Sequence, residues 1–199
     1  AVHEAPYKAP PKAPVLYIKP RNTLCGHGDV VPVPEGTEDF WVGGTLGQVI
    51  GRTLCRAKPE DALAHLAGYT VATDLTLPHE SFYRPSLPFK VRDRSCPLGP
   101  WVRSRAQVAD PDNLDITIRV DGKVALQANT STLIRSVQRL LVDISEFMTL
   151  QPGDVLLAGM PAQVPLARAG QTVSVEIAGV GTLENRLVSE REYMEGVRS

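Results

Sequence analysis

Apolar residues recur with a period of two through most of this chain, the signature of half-buried strands, and runs at helical spacing are few. The clearest segment is DITIRVDGKVALQA. Ile116, Ile118 and Val120 alternate with polar residues, Asp121-Gly122 supplies a tight turn, and Val124 and Leu126 alternate on the way back, predicting a hairpin. Residues 15–20 (VLYIKP), 46–54, 69–77, the region opening at Trp101, the end of LQPGDVLLAG, TVSVEI and VGTLENRLV are also predicted strands. VVPVP is cut by Pro32 and Pro34, which restricts it to a sheet edge. Two helices are predicted. The first covers 58–67, with Pro59 in the first turn, Glu60 and Asp61 at the positive end, Ala62, Leu63 and Leu66 facing the core, and Gly68 as the stop. The second follows capping residues Thr130 and Ser131 and carries Leu133, Ile134, Val137, Leu140, Leu141, Ile144 and Phe147 at helical spacing. A long polar loop punctuated by prolines fills 78–100. The sum is a β-rich α+β fold with two main helices, read as a single domain over 1–199 behind an extended leader at 1–14.

Composition narrows the function. With 199 residues, 43% of them hydrophobic, the chain can bury a sizeable core without disulfides or a structural metal. Twenty-one Lys and Arg against 22 Asp and Glu give a formal charge of −1, so no basic excess points to nucleic acid. No apolar run approaches the roughly 18 residues of a membrane span. Cys25, Cys55 and Cys96 contain no C-x-x-C and read as free, buried or half-buried thiols of a reducing compartment. The leader lacks the apolar core of a secretory signal, so the cytoplasm is the expected location. The first residue is Ala, and residues upstream of it are expected to be missing.

Familiar catalytic motifs are absent: there is no H-E-x-x-H, G-x-S-x-G, P-loop or G-x-G-x-x-G. His65 lies within the first predicted helix and reads as structural. The loop SFYRPSLPFKVRDRSCPLGP stands out because it carries Arg84, Lys90, Arg92, Asp93 and Arg94. Such a cluster of cations suits a small dicarboxylate, and it also suits a solvated charged loop.

The segments KPRNT (19–23), VIGR (49–52), EDALAHLAGYTVATD (60–74), FYRP (82–85), FKVRD (89–93), LQPGD (150–154), AGMP (158–161) and GVGTLENRLV (179–188), in this order, resemble the fumarylacetoacetate hydrolase family. The resemblance implies a fumarylacetoacetase-like mixed sandwich or roll. PYKAPPKAP before YIKPRNT, together with LPHESFYRP, is similar to the N-terminal half of duplicated members. Those members decarboxylate and isomerise 2-oxo- and 2-hydroxy-dienoate dicarboxylates in 4-hydroxyphenylacetate (homoprotocatechuate) degradation. In the family, Mg²⁺ or Mn²⁺ chelates the substrate's carboxylate and 2-oxo oxygen and acts as a Lewis acid.

Carried over residue by residue, the resemblance implies Asp74 as a metal ligand, Lys90 as a catalytic and substrate-binding group, Arg84 and Asp93 as substrate-binding, and Glu4 as acid/base. Departures accompany it. The family's two glutamate ligands fall on Gly43 and Thr45, the His partner of Glu4 falls on Ala1, and the Thr of Gly-Thr-Pro is Met160. Any divalent cation is therefore expected to bind this chain weakly or not at all. Three roles follow: a decarboxylase/isomerase subunit in a homo-oligomer or with a homologous metal-bearing subunit, a metal-free structural domain partnering such a subunit, or a standalone enzyme with a rearranged metal site.

Overall fold

The computed structural model describes residues 13–80, 87–161 and 163–198, and among them eleven strands form two sheets packed face to face. In chain order the strands are β1 (Leu24–Cys25), β2 (Val30–Val33), β3 (Asp39–Ile50), β4 (Leu66–Thr76), β5 (Cys96–Ser104), β6 (Asp115–Val120), β7 (Lys123–Asn129), β8 (Val155–Leu157), β9 (Leu166–Arg168), β10 (Thr172–Ile177) and β11 (Gly181–Ser189). The first sheet runs β1-β5-β4-β3-β8, with β9 also paired to β3, and the second runs β2-β11-β10-β6-β7.

The strand β3 organises both faces of the first sheet. Phe40, Val42, Leu46 and Ile50, two or four residues apart, are all buried and share one face. Gly44 lies on the same face, where a β-carbon would press on Val175 at 2.7 Å and Ile118 at 3.1 Å. That residue is glycine because the second sheet comes so close. Val173, Val175, Ile177, Ile116, Ile118, Leu183 and Leu187 complete the core from the other side. Burying each such side chain contributes about 1.5–3 kcal/mol. On the opposite face of β3, Gly43 pairs with Asp74, and this face carries the candidate site.

The predicted hairpin is β6 and β7, joined by Asp121 (φ 50°) and Gly122 (φ 75°), the two left-handed residues that such a turn requires. Among the described residues the strand β2 pairs only with β11, in parallel, so Pro32 does sit on an edge. Elsewhere the sequence expectations need correction. The first helix is only α1 (Pro59–Ala62) with a 3₁₀ turn over Leu63–His65, because Leu66 and Gly68 already belong to β4. Gly68 is a close-packing residue rather than a helix stop: a β-carbon there would overlap the Arg103 carbonyl of β5. His65 stays structural, its Nδ1 2.8 Å from the Thr53 carbonyl oxygen.

The second helix starts later than predicted. Leu133 and Ile134 precede α3 (Val137–Ser145), whose N-cap is Ser136, with its hydroxyl accepting from the Arg139 amide at 3.1 Å. Thr130 instead accepts from the Leu114 amide, and Phe147 lies beyond the helix, 68% exposed. The 78–100 loop is interrupted by α2 (Leu87–Lys90) and by the start of β5. Residues 15–20 form no strand, and α4 (Glu190–Arg198) was not anticipated. The described residues contain no helix long and apolar enough to cross a membrane.

Two measurements test this packing. Gly68→Ala is expected to destabilise the protein by about 2 kcal/mol in urea unfolding, since Arg103 offers backbone rather than a flexible side-chain tip. Of the three free thiols, Cys55 is exposed, contrary to the sequence expectation, whereas burial pushes Cys25 up to about 11 and Cys96 up to about 12. An aromatic disulfide reagent at pH 8 should therefore label Cys55 first, and fast labelling of Cys96 would contradict the fold.

Candidate functional site

Asp74 lies near the end of β4, directly across from Gly43, and is 2% exposed. The Leu75 amide donates to the Ser95 carbonyl at 2.9 Å, which brings the start of β5 alongside. Around the carboxylate converge groups from three other parts of the chain. Lys19 Nζ stands 2.7 Å from Asp74 Oδ1, with the lysine side chain only 7% exposed. The Tyr17 hydroxyl donates to Asp74 Oδ2, and the Thr76 hydroxyl approaches Oδ1 at 3.5 Å. Lys19 also donates to the Lys90 carbonyl and, at 3.4 Å, to the Ser95 hydroxyl. Residues 15–19 run extended across this face with an inverted pattern: Val15 and Ile18 are exposed, while the charged end of Lys19 is buried.

Lys90 closes α2, and its ammonium sits 4.7 Å from the centre of the Tyr17 ring, a cation–π distance. Burial holds the Lys90 ammonium below the ordinary lysine range; Asp74 opposes that shift and Lys19 adds to it. Tyr17 is pushed the other way, above the ordinary phenol range, first by burial and then by the charge and hydrogen bond of Asp74. It therefore stays a neutral hydroxyl donor. Two lysines surround one aspartate, which suits an anionic ligand better than a cation.

The sequence-predicted residues fare unequally. Asp74 and Lys90 come together, whereas Asp93 is exposed and accepts from Asn22 Nδ2 at 2.6 Å, pinning the loop. Glu4 and Arg84 lie outside the described residues. Tyr17 and Lys19 were missed as site residues; Lys19 is inside the KPRNT segment, but nothing in its spacing signals that it reaches Asp74.

A divalent cation does not fit these residues. Gly43 offers no ligand, and the place of its β-carbon is filled by the Met160 sulfur. Thr45 is 1% exposed, and its hydroxyl has no hydrogen-bond partner among the described residues. Asp74 is engaged by Lys19 and Tyr17. Among the described residues, no group of three or more His, Cys, Asp or Glu is placed to hold a metal ion.

Comparison with known proteins agrees with the fold. The chain is 43% identical over 192 residues to the Escherichia coli 4-hydroxyphenylacetate degradation bifunctional isomerase/decarboxylase, covering 96% of this chain and 44% of that protein. It thus spans less than half the length of that relative. The 2-hydroxyhepta-2,4-diene-1,7-dioate isomerase from Mycobacterium marinum superposes with a TM-score of 0.79 at 33% identity, covering 90% of this chain and 71% of that one. The fumarylpyruvate hydrolase from Pseudomonas aeruginosa, in complex with Mn²⁺ and pyruvate, gives a TM-score of 0.84 at 28% identity, with 95% and 84% covered. These relatives are named for enzymatic activities, so a purely structural domain finds no support among them. Residues 1–188 match the family model described as Fumarylacetoacetate (FAA) hydrolase C-terminal, and the chain belongs to the fumarylacetoacetate hydrolase family.

Proposed function

We propose that this chain is a subunit of a decarboxylase/isomerase acting on 2-oxo- and 2-hydroxy-dienoate dicarboxylates of 4-hydroxyphenylacetate degradation. The observation that carries the reading is the 43% identity over 96% of the chain to a bifunctional isomerase/decarboxylase of that degradation. The charge of the site supports it, because two lysines around one aspartate favour a carboxylate-bearing ligand. Any divalent cation that the reaction uses is brought by a homologous subunit, since the donors of this chain do not fit one.

In this reading Lys90 is the catalytic and substrate-binding group. Its ammonium pairs with a substrate carboxylate and, on decarboxylation, lowers the energy of the enolate that receives the electrons of the broken carbon–carbon bond. Tyr17 orients the ammonium through its ring. Arg84 supplies a second, guanidinium contact to the far carboxylate, and Glu4 moves the proton in isomerisation. Asp93 acts through the loop, which it ties to Asn22.

The experiment is an assay of decarboxylation and of double-bond migration with the chain alone and with a homologous chain that keeps the Glu-x-Glu ligands. Activity is expected from the pair and little from this chain alone; a pair inactive on both dicarboxylates would overturn the reading. In the active assembly, Lys90→Ala should lower kcat/KM by about 10- to 100-fold, the worth of a charge-assisted hydrogen bond. Its thermal unfolding should shift by no more than a few degrees, because Lys90 is only half-buried and loses a cation–π contact with Tyr17 rather than an ion pair. Light scattering should give a mass above the 21.6 kDa of one chain.

A further inference from the structure

An ammonium group has three protons to donate, and Lys19 spends all three on the protein: Asp74 Oδ1, the Lys90 carbonyl and the Ser95 hydroxyl. This is a complete coordination shell of oxygen atoms drawn from β4, α2 and the turn before β5, built around a buried positive charge. None of the three protons remains for a ligand. Two features make the arrangement incompatible with a second cation at Asp74. The Met160 sulfur occupies the space that a side chain at position 43 would need, and position 45 presents a hydroxyl rather than a carboxylate. A divalent ion bridging to Asp74 would also stand close to the Lys19 ammonium, with one negative charge to offset three positive ones.

We infer that Lys19 is the resident cation of this site: it holds Asp74 in place of a metal ion, closes that carboxylate to divalent cations and ties the N-terminal segment to the sheet. The role is one of positioning. Lys19 fixes Asp74, and through the Lys90 carbonyl it fixes the end of α2, so that the Lys90 ammonium is held against Tyr17 without a metal. The inference goes beyond the proposed reaction and does not depend on it, since it concerns what neutralises Asp74 in this chain.

Two measurements on the full chain test it. The first uses manganese alone: electron paramagnetic resonance of Mn²⁺ titrated with the wild-type chain should show the free-ion signal undiminished. A stoichiometric site of micromolar affinity, lost in Asp74→Asn, would overturn the inference. The second is a double-mutant cycle read by thermal unfolding. Lys19→Met strands a buried carboxylate and should lower Tm by about 10 °C. Combining it with Asp74→Asn removes both charges and should recover more than half of that loss. Additive losses would overturn the inference. Should Lys19→Met fail to fold, refolding of the double variant supports the pair, and its failure to fold as well counts against it. Either way, the manganese titration needs no variant. None of these outcomes touches the two-chain decarboxylation assay, so failure here and failure of the proposed function remain distinguishable.

Discussion

A carboxylate buried on the face of a sheet must be neutralised by something, and in this protein the partner of Asp74 sets the arrangement of everything around it. Removing the partner of a buried ion pair costs about 3–5 kcal/mol, a large share of the stability of a domain this size. That cost is avoided by drawing an otherwise unstructured segment, 15–20, across the sheet so that Lys19 and Tyr17 reach the two oxygens of Asp74. The same lysine anchors the carbonyl of Lys90 and the hydroxyl of Ser95. A single electrostatic requirement thus links the N-terminal segment, a short helix and the entry to β5, alongside the apolar contacts of Leu16 and Phe89 with the core.

The scaffold beneath that pair is hydrophobic and owes little to charge. Gly43 and Gly44 are neighbours on β3 and serve opposite faces. Gly44 lets Val175 and Ile118 of the second sheet approach the backbone, which closes the core. Gly43 faces the site, where its missing side chain is replaced by the Met160 sulfur. One strand therefore carries both the contact that joins the sheets and the substitution that changes the chemistry of the family site. The fold tolerates this because the core depends on the alternate residues Phe40, Val42, Leu46 and Ile50, all on the other face.

Much of the scaffold was legible in advance because its cause is local. The hairpin at Asp121-Gly122, the edge placement forced by Pro32 and the alternation of TVSVEI each follow from a few adjacent residues. The helices were legible in kind but not in extent. Residues 58–67 have helical spacing, yet pairing of Leu66 onward with β3 and β5 yields more than one further helical turn would, and the strand wins. Ser136 outcompetes Thr130 as a cap because the Thr130 hydroxyl is already taken by the Leu114 amide, from a segment sixteen residues earlier.

The site divides along the same line. The residues themselves showed Lys90 in a cationic loop, and the family resemblance implied that two of three carboxylates are replaced, by Gly43 and Thr45, while Asp74 is kept. These are properties of residue type, and no folding can alter them. What neutralises Asp74 was decided only in three dimensions. Lys19 and Asp74 are 55 positions apart, and their meeting depends on the register that sets Gly43 opposite Asp74, on β5 lying beside β4, and on an extended segment that crosses the sheet with its apolar residues Val15 and Ile18 facing outward. Periodicity reads which face of an element is buried; a charge that crosses the sheet to reach its partner leaves no period to read.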